Sequence, residues 1–207
     1  MALVKGNAPE SAGKARTKPE QSCQQLRAAL EDADATVRRH AARDLLHCQD
    51  AAAALVSRLK REQDTAVREA ILTTLLRLDD PSVAVGLADC LRIEDAALRN
   101  DAIETMKWLG SEAVPLLRSL LADPDPDIRI FVVNILNSER YPEVENWLIE
   151  VIEQDPHVNV CATAVDVLCE VGTEAAIDPL LRLKARFASE AYIQFAASLA
   201  LKRIREI

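Results

Sequence analysis

Glycine is nearly absent from this chain, at 5 of 207 residues, and aromatics make up 3 %, none of them before Trp108. So few glycines exclude the phosphate-cradling loops of nucleotide sites, which need closely spaced glycines for the backbone to approach a phosphate. The three histidines form no metal set. His40 and His47 share a helical face seven residues apart, but no His-x-x-x-His or His-Glu pairing accompanies them or His157. Positive charge is also short. With 25 Lys and Arg against 33 Asp and Glu the net charge is −8, which weighs against a phosphate-binding surface and so against nucleic acid. No apolar run is long enough for a membrane span, and the Met1–Val4 stretch is too short for a signal-peptide core, so the reading is cytoplasmic with no membrane contact. The five cysteines, Cys23, Cys48, Cys90, Cys161 and Cys169, are scattered and never form Cys-x-x-Cys. Most lie within or beside apolar stripes and read as reduced, buried small residues, which suits a reducing compartment.

What the chain does have is a corner that returns. Asp34 stands four residues before Arg38, and the same spacing joins Asp64 to Arg68, Asp95 to Arg99 and Asp125 to Arg129, with Asn159 replacing the arginine after Asp155. Successive aspartates are 30, 31, 30 and 30 residues apart, the signature of a repeat array. An aspartate before an apolar-periodic run can accept hydrogen bonds from the free amides of a helix start, and Pro126 suits a first turn that needs no donor. A stripe residue recurs at Val37, Val67, Leu98, Ile128 and Val158, and eleven residues before each stand Leu26, Val56, Leu87, Leu117 and Trp147. Each unit is therefore two amphipathic helices joined by the corner. The predicted pairs span residues 21–48, 51–78, 81–109, 111–138, 143–171 and 174–206, giving an all-α solenoid of about six antiparallel helix pairs. The sixth loses the Asp-Arg corner and gathers Phe187, Tyr192 and Phe195 instead.

Residues 1–20 read as a flexible, slightly basic tail, with Lys5, Lys14, Arg16 and Lys18 against Glu10 and Glu20. Residues 21–207 read as a single repeat domain. Acid-base catalysis needs two carboxyl groups in different environments at one site, whereas these aspartates recur at equal steps along a rod. They read instead as helix caps and Asp-Arg ladders between repeats, each pair adding about 1 kcal/mol or less where exposed.

With Val37, Ala41 and Leu45 buried, the opposite side of the second helices forms a column. It runs from basic (Arg39, His40, Arg43) through mixed (Glu69, Thr73, Asn100, Glu104) to apolar (Ile130, Phe131, with Asn134, then Val160, Cys161, Ala164). An apolar strip beside charges is what a groove for a protein or peptide partner requires. On this reading Trp108, Ile130 and Phe131 anchor the partner, and Arg39 and Arg43 meet its acidic residues. Glu69, Asn100, Glu104, Asn134 and Cys161 complete the strip. The expected activity is that of a non-enzymatic scaffold or adaptor with no cofactor. The last helix places Ile193, Ala197, Leu201 and Ile204 on one stripe and Phe195 and Leu199 off it, more apolar surface than an end cap should expose. That surplus predicts a homodimer through the C-terminal helix.

Paired helices of about thirty residues, an Asp-x-x-Val-Arg corner and Ala-rich second helices such as residues 37–45 resemble HEAT repeats, specifically the short bacterial kind of phycobilin-lyase-like proteins. The resemblance runs from about Gln21 to Ile207. It implies an alternative activity, a lyase or isomerase subunit acting on a bilin, with Cys161 in the apolar groove as its local support. Similar repeats also build HEAT-like DNA glycosylases and His-Glu iron hydroxylases, against which stand the acidity of the chain and its lack of a His-Glu pair.

Overall fold

The computed structural model describes residues 22–110, 113–137 and 143–206. Among these, twelve α-helices and two short 3₁₀ turns occur and no strand. They form the six pairs α1 (Cys23–Ala29) with α2 (Ala35–Asp44), α3 (Ala51–Leu59) with α4 (Thr65–Leu75), α5 (Ser82–Cys90) with α6 (Ala96–Met106), α7 (Val114–Leu120) with α8 (Pro126–Leu136), α9 (Val144–Gln154) with α10 (Val158–Val171), and α11 (Ile177–Arg186) with α12 (Ala191–Glu206). All six fall within the predicted spans, and the fold is an all-α solenoid. The tail at residues 1–20 and the aromatic Tyr141 lie outside the described residues.

The corners form for the reason the spacing implied. Asp34 accepts from the Thr36 amide at 2.7 Å, Asp64 from Ala66 at 2.9 Å and Val67 at 3.0 Å, Asp95 from Leu98 at 3.1 Å, and Asp125 from Asp127 at 2.9 Å. Each satisfies donors that a helix start leaves without intrahelical partners. Asp155 differs. It ends α9, and its carboxylate accepts from the His157 amide at 2.8 Å, so α10 begins only at Val158.

The arginines four residues later do more than expected. Each turns back on its own corner. Nη1 of Arg38 donates to the Asp32 and Ala33 carbonyls, that of Arg99 to Ile93 and Glu94, and that of Arg129 to Asp123 and Pro124, while Nε of Arg68 donates to Glu62. Three of them then reach forward to an acid of the following pair. Arg38 grips both Glu62 oxygens at 2.8 Å, Arg68 meets Asp95 at 2.5 Å, and Arg129 grips Asp155 at 2.6 and 3.0 Å. Arg38, Arg68 and Arg129 are buried, as are Glu62 and Asp155, so these links of the ladder form an internal seam. Burial alone would raise the Glu62 pKa. Hydrogen bonds from Arg38, the Asp64 amide and Arg58 outweigh it and hold the carboxyl at about 2. Arg99 breaks the series and lies over the Phe131 ring, 5.7 Å from its centroid.

Leu26, Val56, Leu87, Leu117 and Trp147 are buried as predicted, and so are Val67, Leu98 and Ile128. Val37 is not. It stays 37 % exposed because no described helix pair precedes α2, whose buried set is Arg38, Ala41 and Ala42. First helices make one layer and second helices the other. α3 packs on α5 so closely that a Cβ on Gly86 would sit 2.5 Å from a Val56 methyl carbon. In the second layer α2 packs on α4, α6 on α8, α8 on α10 and α10 on α12, and the looseness is concentrated between α4 and α6.

One cysteine expectation fails. Cys23 and Cys48 form a disulfide with Cα atoms 5.6 Å apart, joining the start of α1 to the end of the 3₁₀ turn that follows α2. The out-and-back path of the first pair brings these residues together despite a separation of 25. Cys90, Cys161 and Cys169 are free thiols. The pairing withdraws the argument from reduced cysteines to a reducing compartment.

Candidate functional site

The second-helix layer breaks the predicted column into three parts. At the first pair, Arg43 and His40 are exposed and Arg39 is half-buried, with its Nε buried and without a hydrogen-bond partner among the described residues. This end of the layer is basic, as the sequence implied.

In the middle, where α4 and α6 stand apart, a cleft of about 350 Å³ opens. The predicted residues Glu69, Glu104 and Trp108 line it, together with Asp101, Leu72 and Leu76. Trp108 is 62 % exposed and Leu76 38 %. Asn100 is exposed on the same helix but does not line the cleft. Leu72 and Leu76 were missed by the column, which held only the positions opposite the stripe. Their signal was present as two leucines four apart, one helical turn along a face that a tightly packed neighbour would cover. Glu104 pairs with Lys107 at 2.7 Å. Burial pushes the Asp101 carboxyl above its ordinary value, against the opposing pull of Arg68.

Beyond the cleft the layer closes. Ile130, Phe131 and Asn134 are half-buried, and the two apolar residues pack against the core. At α10 the column ends: α8, α9 and α12 all pack on that helix, and Val160, Cys161 and Ala164 are fully buried. The placement of Cys161 on a binding strip is therefore corrected. Its sulfur lies 3.3 Å from the Asp155 carbonyl oxygen and accepts from Arg186 at 3.1 Å, and burial pushes its thiol up to about 11 despite that guanidinium. A thiol so placed is inert, which removes the local support for bilin chemistry. Arg186 also donates to the carbonyls of Ile152 and Glu153, closing the end of α9.

A second cleft, of about 480 Å³, lies where the fourth and fifth pairs meet. Arg118, Asp123, Arg129, Glu150 and Asp155 line it, and every one is in an ion pair: Arg118 with Glu150, Arg129 with Asp155, and Asp123 with Arg92. On the last helix Ile193, Ala197, Leu201 and Ile204 are buried, while Tyr192, Phe195 and Leu199 face outward, Phe195 at 67 %. The Tyr192 hydroxyl donates to Asp166 on α10 at 2.8 Å. Among the described residues no group of three or more His, Cys, Asp and Glu is placed to hold a metal ion, and no helix is long and apolar enough to cross a membrane.

The chain matches the family described as HEAT repeats over residues 23–107 and 51–130. No curated protein matches it. Among solved structures it is similar to the archaeal HEAT-like repeats protein from Thermococcus onnurineus NA1, at 17 % identity and a TM-score of 0.48 over 89 % of this chain and 87 % of that one. It is also similar to the complex of CpcE and CpcF of phycocyanin lyase from Nostoc sp. PCC7120, at 17 % identity and a TM-score of 0.37 over 98 % of this chain and 100 % of that one. The S. pombe condensin Cnd3–Cnd2 subcomplex is similar at 18 % identity and a TM-score of 0.43, over 92 % of this chain and 28 % of that one. Likenesses at this depth carry nothing about activity or partners. The family match spans more than half of the sequence, and the chain belongs to the HEAT repeats, a fold that commonly mediates protein interactions.

Proposed function

We propose that this protein is a non-enzymatic adaptor whose second-helix layer grips a segment of a partner protein. The observation that carries the reading is Trp108, a large aromatic exposed beside Leu76 in a cleft of a layer that elsewhere closes by helix packing. Exposed aromatics in a concave, partly apolar setting are where binding energy concentrates. Around this anchor, Glu69, Asn100 and Glu104 supply the polar rim, Arg39 and Arg43 the basic end, and Ile130, Phe131 and Asn134 a half-covered margin. Residues 21–207 act in this reading as one array. The test is Trp108→Ala combined with Leu76→Ser. Crosslinked capture of the partner should fall at least about tenfold, a difference of about 1.4 kcal/mol, while the melting temperature stays near that of the wild type. Undiminished capture by a folded variant would end the reading.

A second association is favoured by a separate observation, the outward face of α12. Tyr192, Phe195 and Leu199 recur at three and four residues, one apolar stripe of a helix whose other face is already buried. In this reading two copies pair through that stripe. Sedimentation should give a dimer that Phe195→Glu converts to monomer, and a monomeric wild type at high concentration would contradict it.

A further inference from the structure

The cleft between α4 and α6 has a chemical demand that its own walls leave unmet. Glu69, Asp101 and Glu104 line it, and no Lys or Arg does. Lys107 answers Glu104. Glu69 and Asp101 have no hydrogen-bond or ion-pair partner for their carboxylates among the described residues. Asp101 is half-buried, and its loss of water shows as a carboxyl displaced upward. Arg68, already paired with Asp95, pulls against that displacement without reversing it, and a further cation bound in the cleft relieves what remains. Beside the acids lie Leu72, Leu76 and the indole of Trp108, apolar surface suited to the alkyl stem of a long cationic side chain. The volume of about 350 Å³ admits one or two side chains. Phosphate-bearing surfaces are repelled by the same acids.

We propose that this cleft takes a Lys or Arg side chain flanked by apolar residues, presented by a segment of a partner protein, with Asp101 and Glu69 meeting its charge and Trp108 and Leu76 covering its stem. The inference rests on the adaptor reading and gives the partner a polarity. It is opposite to the one Arg39 and Arg43 suggest at the first pair of the layer.

A random peptide library displayed on phage and selected on the full chain tests it. Enriched peptides should carry Lys or Arg next to Leu, Ile or aromatic residues, and their binding should weaken with added salt. Asp101→Asn with Glu69→Gln should lower their affinity about tenfold or more, with the melting temperature unchanged or raised, so that loss of binding is not loss of fold. Asp101→Lys should shift the selection toward Asp- and Glu-bearing peptides. Enrichment of acidic peptides by the wild type, or of basic ones indifferent to the double variant, overturns the inference and leaves the adaptor reading standing. A library that yields no binder overturns both.

Discussion

Two clefts of this solenoid behave as opposites. The one between the fourth and fifth pairs is larger, about 480 Å³ against about 350 Å³, yet each of its charges is in an ion pair: Arg129 with Asp155 and Arg118 with Glu150 across the cleft, and Asp123 with Arg92 outside its lining. The one between α4 and α6 is lined by three carboxylates, of which only Glu104 is in an ion pair among the described residues, while Arg68 pulls on Asp101 from its own pair with Asp95. In the first, charge is spent on joining neighbouring repeats, and the space is what remains where rounded helix ends meet. In the second, the helices fail to close and the charge faces outward. Volume alone would choose the first cleft; unpaired carboxylates choose the second.

The comparison breaks most easily at Arg129. Replacing it by Met leaves Asp155 buried without its bidentate partner and frees the Asp123 and Pro124 carbonyls it caps. A destabilisation of about 3 to 5 kcal/mol is expected from urea unfolding, since the remaining charge stays buried and unanswered. A loss under about 1 kcal/mol would mean that this cleft, too, keeps its charges in water.

The next largest effect is a pH dependence at the same kind of seam. Glu62 is held at about 2 in the fold against an ordinary 4.5, a difference worth about 3 kcal/mol. Its folded pKa is depressed, so its contribution is complete above about 4.5 and is lost as pH falls toward about 2, where folded and unfolded chains hold the proton alike. Unfolding free energy measured between these limits should drop accordingly, and Glu62→Gln should flatten that part of the curve while lowering stability at neutral pH.

Much of this was legible in the sequence, because caps and stripes are local. Asp64 and the amides it serves are two and three residues apart, and the interval of thirty or so residues repeats the same local argument. The seam was only half legible. Arg38 finds Glu62, two residues before the repeating Asp64, whereas Arg68 and Arg129 find the repeating acids Asp95 and Asp155 themselves, and only the stacking of pairs decides which acid is in reach. Cys161 was misread for the same reason. Its sulfur faces the end of α9 and Arg186 of α11, and one helix's own periodicity does not reveal what its neighbours cover. The α4–α6 opening was hidden too, since Leu76 reads as core until the adjacent helix is found to stand away.

The smallest expected effect has the opposite sign. Asp101 sits in the open cleft with its carboxyl raised by burial, so at neutral pH its ionised form opposes the fold, the reverse of Glu62. Asp101→Asn keeps the shape and removes the charge, and unfolding should then require slightly more free energy, by roughly 0.5 kcal/mol. The gain should shrink as pH falls and the wild-type carboxyl takes up its proton. An acid that stabilises its fold would show a loss on this substitution. A gain would mean instead that the charge is kept at the expense of stability, which is the expected condition of a residue whose counter-charge arrives with another molecule.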